Sequence, residues 1–136
     1  PGISSAASDV YKRQIESSLT QQDGRTKMKQ LLSLTKRPDA LYVAGDYAAL
    51  GAQQVLLEDK IKIPDEIALV GFGNEPFTAM VSPSITSVHQ YSDEIGKKAA
   101  AAFLECIKKD FVQQSLNKII LDAKLIVRDS SKIFLS

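Results

Sequence analysis

The sequence is poor in the residues that carry most catalytic chemistry. It has one cysteine, one histidine and no tryptophan among 136 residues. A lone Cys106 excludes an intramolecular disulfide and any cysteine-based metal cluster, and its apolar helical surroundings predict a small core residue. His89 alone cannot build a two-histidine metal site. No run of 18 apolar residues is present, so no segment is expected to span a membrane. A basic n-region followed by an apolar h-region is also missing. Net charge is +1, with no run of five or six like charges, so there is no electrostatic case for nucleic acid or a membrane surface. Neither GxGxxG nor GxxxxGK[ST] occurs, which removes the Gly-rich phosphate cradles, and without GxSxG there is no nucleophile elbow. No catalytic residue, metal or cofactor is assigned.

What is present is an ordinary globular composition, 44% hydrophobic and 24% charged, at a length that suits one domain. Three short apolar runs end in small or polar breaks. Leu41 to Ala44 runs into Gly45-Asp46, Ile67 to Val70 into Gly71 to Asn74, and Ile85 to Val88 into His89-Gln90. Such runs fit strands of a parallel sheet buried on both faces. Ligands of open α/β sheets bind beyond the carboxyl ends of the strands, which makes Gly45, Asp46, Gly73, Asn74, His89 and Gln90 the site candidates. Asn74 offers two donors and an acceptor. Gly45 and Gly73 supply backbone freedom.

Along the chain, residues 1–14 have no usable apolar period and predict a disordered or cloning-derived leader. Ile15 to Leu19 could form a short strand. Thr20 suits a helix N-cap with Asp23 in the first turn, and the helix is expected to run from Gln21 to Thr35. Its stripe is Met28, Leu31 and Leu32, with Arg25, Lys27 and Lys29 as a solvated face. Asp39 to Ala44 is a strand, and Asp46 a good N-cap for a helix over Tyr47 to Asp59. Ala48, Ala49, Gly51 and Ala52 would let that helix approach the sheet closely. Asp65 and Glu66 read as solvated turn residues before the strand Ile67 to Val70. Pro76 opens a short helix ending at Pro83, and Ile85 to Val88 is the third strand. Ser92 or Asp93 caps a helix to Lys109 with Ile95, Ala99, Ala102, Phe103 and Ile107 on one face. Gly96 within it suggests close packing. Asn117 to Leu121 and Lys124 to Val127 complete the strands, with 132–136 as a tail. Strand–helix alternation predicts an open α/β sheet. Its chemistry is non-covalent recognition of a polar small molecule.

Four segments resemble the lactose-repressor (LacI/GalR) transcription regulators. PDALYVAGDYAALGA is similar to their PDAIFAANDxxAxGA, and IPDEIALVGFGNEPF to VPxDIxVVGFDDxP. SPSITSVHQYSDEIGKKAAAAFLECI is similar to PxLTTVxQPxxxxGxxAxxxLxxxI, and LDAKLIVRDSS to LxPxLxxRxSS. The resemblance covers residues 15–131. It implies a type I periplasmic-binding-protein-like fold, an open and mostly parallel sheet flanked by helices, present here as a partial domain. Residues 15–131 would be the C-terminal part of the effector-binding core, with 88–121 contributing partly to the N-terminal subdomain. A helix-turn-helix headpiece for operator DNA would lie outside the chain, and the isolated fragment is expected to be poorly stable because its sheet edges lack partners.

The resemblance further implies a sugar-like effector, a homodimer, a cytoplasmic location and no enzyme activity. Its ligand positions fall on Gly45, Asp46, Gly73, Asn74, Gln90 and Ser92. Gly45 and Gly73 stand where many members carry polar ligand groups, so either a bulkier ligand is accommodated or side chains such as Glu75 or Tyr91 take over. The dimer surface falls on Tyr47, Leu50, Gln54, Phe77 and Met80. Two alternatives remain: an exported sugar-binding protein of a transporter, and an α/β enzyme using Asp46 and His89.

Overall fold

The computed structural model describes residues 14–108 and 118–132; the expectations for residues 1–13, Lys109, Asn117 and 133–136 lie outside them. The first helix, α1 (Gln21–Leu32), starts where the sequence signals it. Thr20 is extended, and its Oγ1 accepts a hydrogen bond from Asp23 N at 3.1 Å. This satisfies one of the helix's orphan N–H groups. The helix stops three residues before the expected Thr35. Ser33 Oγ takes the Gln30 carbonyl at 2.7 Å, and Leu34 N closes on Leu31 O. Such local hydroxyl–backbone bonds compete with helix continuation. The expected strand at Ile15 to Leu19 does not form. Leu19 has φ 61° and Ser17 and Ser18 fold back onto Asp23, which breaks an extended run.

The sheet contains β1 (Ala40–Tyr42), β2 (Ala68–Phe72), β3 (Thr86–His89) and β4 (Lys124–Ile126) in that spatial order. β1, β2 and β3 are mutually parallel, and β4 runs antiparallel to β3 with Ser87 opposite Ile126 and His89 opposite Lys124. The expected strand over 117–121 is not formed at 118–121. At the amino ends of β2 and β3, Ser130 fills the space between strands. Its Oγ donates to Leu69 O at 2.6 Å and accepts from Thr86 N at 2.8 Å, while its carbonyl accepts from Leu69 N.

Between β1 and β2 lies α2 (Asp46–Glu58). It packs on α1 through small residues. A Cβ on Gly24 would overlap the Ala48 carbonyl, and one on Gly51 would overlap the Gln21 carbonyl. The two helices thus approach to backbone contact. Met28, Leu31, Val55, Leu56, Ile61 and Ile67 form one core cluster, with Ile15 packed against it. Ala49, Leu69 and Ile85 form a second under the sheet. Each fully buried side chain such as Leu56 contributes about 1.5–3 kcal/mol relative to exposure. Arg25, expected on a solvated face, is only partly exposed. It bridges the helices, with NH2 2.8 Å from Glu58 Oε2 and NH1 3.2 Å from Gln54 Oε1.

A 3-10 turn, Pro76–Ala79, follows β2, and α3 (Ser92–Lys108) follows β3. The apolar stripe expected on α3 is present but uncovered: Phe103 and Ile107 are each 64% exposed. The close packing expected at Gly96 is absent, since nothing lies within 4 Å of where its Cβ would stand. Cys106 is half-buried instead of a core residue for the same reason. Among the described residues no helix is long and apolar enough to cross a membrane.

Candidate functional site

The carboxyl ends of β1, β2 and β3 meet at one rim, and Asp46 sits beneath it. Asp46 does not cap α2 as expected. Gly45 is the N-cap, extended and without a side-chain bond, and Asp46 is the first helical residue. Its side chain is 2% exposed and turns into the sheet. Oδ1 accepts from Ser87 Oγ at 2.7 Å and Oδ2 from Glu75 N at 2.8 Å. Both oxygens are engaged with protein groups, so Asp46 ties α2 to β3 and to the loop after β2. A Cβ at Gly71 would strike this carboxylate, so any larger residue there would have to displace it.

The loop after β2 is shaped by two left-handed residues, Gly73 at φ 124° and Asn74 at φ 58°. The first favours glycine, and asparagine is among the side chains that tolerate the second. Asn74 N donates to Ser87 Oγ at 3.0 Å. Its side chain accepts from Arg128 NH2 at Oδ1, 2.7 Å, and places Nδ2 3.3 Å from His89 Nδ1. Arg128 NH1 also donates to the Ile85 carbonyl and to Thr78 Oγ1. The His89 ring meets Tyr91 edge-on at 4.3 Å between centroids.

Of the sequence candidates, Asp46, Gly73, Asn74 and His89 are therefore brought together. Gly45 lies beside them under Leu19, 3.3 Å from where a Cβ would stand. Gln90 and Tyr91 are half-buried on the crossover from β3, and Ser92 is exposed at the start of α3. Arg128 was not among the candidates. Its signal was available as the one arginine of the closing segment Leu121 to Ser131, but only the fold brings it across β3 to Asn74. Asp46 and His89 share no hydrogen bond: both Asp46 oxygens are engaged by Ser87 and Glu75, and His89 Nδ1 faces Asn74. The two side chains are thus not arranged as a hydrogen-bonded pair.

The second candidate surface holds Tyr47 and Phe77, whose rings lie 5.0 Å apart at 52°. Met80 beside them is 81% exposed. Leu50 is half-buried, and Gln54 Oε1 is held by Gln21 Nε2 and Arg25 NH1 from α1.

The profile of the periplasmic binding protein-like domain matches residues 3–131. The chain belongs to that family. Within the family it is part of a LacI-type effector-binding core. It is 31% identical over 122 residues to the HTH-type transcriptional repressor PurR of Haemophilus influenzae, covering 89% of this chain and 36% of the relative. The ribose operon repressor of Escherichia coli is 32% identical over 91 residues, 67% of this chain and 28% of the relative. Among solved structures, a LacI family regulator from Lactobacillus casei with bound sucrose superimposes with a TM-score of 0.71 at 26% identity, over 93% of this chain and 48% of that one. The chain thus spans 36% of the length of the first of these curated repressors and 28% of the second. These repressors are regulators of transcription, not enzymes.

Proposed function

We propose that the chain is the effector-sensing and dimerising part of a LacI-type transcriptional regulator, acting in the cytoplasm without catalysis. The observation that carries this reading is the crossover at Gln90 and Tyr91. It leaves the carboxyl end of β3 beside Asn74, His89 and Arg128 and leads directly into α3, whose apolar stripe is uncovered. A ligand on this rim would touch both the lobe built by α1, α2 and β1–β3 and the connection to a second lobe. Differential contact with two lobe arrangements is what lets a ligand bias an equilibrium between them. Residues 88–121 then contribute partly to the second subdomain. The site comprises Gly45, Asp46, Gly73, Asn74, Gln90 and Ser92, with Asp46 acting as scaffold.

Operator DNA would be held through a headpiece outside the chain. A homodimer would form through Tyr47, Leu50, Gln54, Phe77 and Met80. Exposed Met and paired aromatics are what interface cores are enriched in. Relatives that repress transcription support the regulator over an exported sugar-binding protein. The effector is a sugar or sugar derivative, by kinship with a ribose operon repressor and a sucrose-bound regulator.

The test uses the full-length protein containing this chain. Ribose and sucrose are titrated by calorimetry, and operator affinity is followed with and without sugar. A shift of about 5- to 150-fold in operator affinity on sugar binding is the expected coupling. A protein that binds neither sugar nor DNA sinks the reading.

A further inference from the structure

Two rim side chains, Glu75 and His89, have their backbones fixed and each keeps a polar group that no described residue engages. Glu75 N is held by Asp46 Oδ2, and its carbonyl accepts from Thr78 N at 2.9 Å and Thr78 Oγ1 at 2.6 Å. The side chain is half-buried, and its Cγ lies 4.0 Å from where a Gly73 Cβ would stand. Its stem thus lines the space that the missing Gly73 side chain leaves. No described residue donates to the Glu75 carboxylate. Because no buried side-chain oxygen or nitrogen is left without a partner, those oxygens reach solvent. Asp46, the other carboxylate beside Gly73, has both oxygens engaged.

His89 is constrained by a chain of donors. Arg128 is a donor only, so the Asn74 atom facing its NH2 is the oxygen Oδ1. Nδ2 of Asn74 must then face His89, and it too can only donate. Nδ1 of His89 accordingly presents its lone pair, and the ring proton sits on Nε2. No described residue accepts from Nε2, which by the same reasoning reaches solvent.

We propose that Glu75 and His89 are the residues that read the effector's hydroxyls: the Glu75 carboxylate accepts from one hydroxyl, and His89 Nε2–H donates to a hydroxyl oxygen. This rests on the sugar-effector reading above and specifies how that site recognises its ligand. Arg128 is a positioning residue, acting through Asn74 to fix which ring nitrogen of His89 carries the proton. A ligand offering both donors and acceptors, as a polyol does, satisfies this pair. One lacking a hydroxyl leaves a charged carboxylate unpaired on binding, which is the costlier loss.

The experiment titrates ribose, 2-deoxyribose and sucrose into the full-length protein by calorimetry, in wild type, Glu75→Gln and His89→Phe. For the best-bound sugar, Glu75→Gln should weaken affinity about tenfold or more with an unchanged melting temperature. It should also narrow the gap between ribose and 2-deoxyribose, which a merely structural role would not do. Glu75→Asp, keeping the charge on a shorter stem, should recover part of the loss and serves if the Gln variant misfolds. His89→Phe keeps a ring against Tyr91 and should lose affinity in the same direction. Wild-type binding that survives both Glu75→Gln and His89→Phe within about twofold overturns this assignment alone. A wild type that takes none of the three sugars overturns the sugar-effector reading as well.

Discussion

α2 and α3 are both apolar helices following parallel strands, yet they end in opposite environments. α2 is walled in: Ala48, Ala49, Ala52, Val55 and Leu56 are all buried against α1 or the sheet. α3 carries the cleaner amphipathic stripe but leaves it open. Among the described residues, the segment at Ile119 and Leu121 approaches it, forming with Ile95, Ala99 and Ala102 a groove of about 370 Å³. A stripe of this kind marks a helix that packs against something, but it does not say what. The lesson is that α2 is stabilised within the chain, while α3 is shaped for a cover that none of the described residues supplies. This division is what a two-lobed binding core would produce at a crossover.

The contrast can be sharpened by substitutions, and the largest effect is expected at Asp46. Asp46→Ala removes the acceptor for Ser87 Oγ and Glu75 N in a buried setting. Two stranded donors at ~1–3 kcal/mol each give an expected loss of about 3 kcal/mol in urea denaturation of the protein carrying this chain. A loss below about 1 kcal/mol, no more than a typical single hydrogen bond, would show that α2 is not anchored through this carboxylate.

Glycines report the same division with opposite signs. Gly51→Ala drives a methyl into the Gln21 carbonyl of α1, a backbone atom that cannot step aside, and should cost about 2 kcal/mol. Gly96→Ala in α3 meets nothing within 4 Å. It should stabilise the helix by about 0.5–1 kcal/mol, the propensity gain of alanine over glycine. If Gly96→Ala destabilised the intact protein as strongly as Gly51→Ala, α3 would have a tightly fitted neighbour at that turn and the comparison would break down.

Much of this was legible in the sequence. Apolar runs bounded by glycine and proline marked β1, β2 and β3, and Thr20 with Asp23 marked the start of α1, because these signals are local. The open α/β architecture followed from their alternation. What stayed hidden depended on distance in the chain. Asp46 looks like a cap in a sequence window, since Gly45-Asp46 precedes a helix. Only the approach of β3 shows that its carboxylate turns inward to Ser87. Arg128 reaches the rim because β4 returns beside β3, a pairing that 118–121 do not share. Arg25 read as a free surface charge until α2 placed Glu58 opposite it. Gly96 seemed to promise close packing, but a glycine inside a helix records permissiveness and not a neighbour.

The smallest expected effect lies in the first turn of α1, and it compares two acids near helix starts. Asp46 is buried, whereas Asp23 faces solvent. Asp23 is nevertheless held below its ordinary pKa of 3.8, chiefly by the Ser17 hydroxyl and then by the Ser18 backbone N–H. These donate to Oδ2 at 2.6 and 2.7 Å. Both bonds favour the ionised form. A carboxyl whose folded pKa is depressed contributes stability that is complete above the unfolded value and is lost as pH falls through the folded one. The contribution of Asp23 should therefore be intact above pH 3.8 and disappear below it. Ser17→Ala should raise the Asp23 carboxyl pKa toward 3.8 in an NMR titration while leaving the backbone bond from Ser18 in place. An unchanged titration would mean that the Ser17 hydroxyl does not hold the carboxylate. The fold-back of residues 17–19 onto α1, which takes the place of the expected strand, would then rest on Ser18 alone.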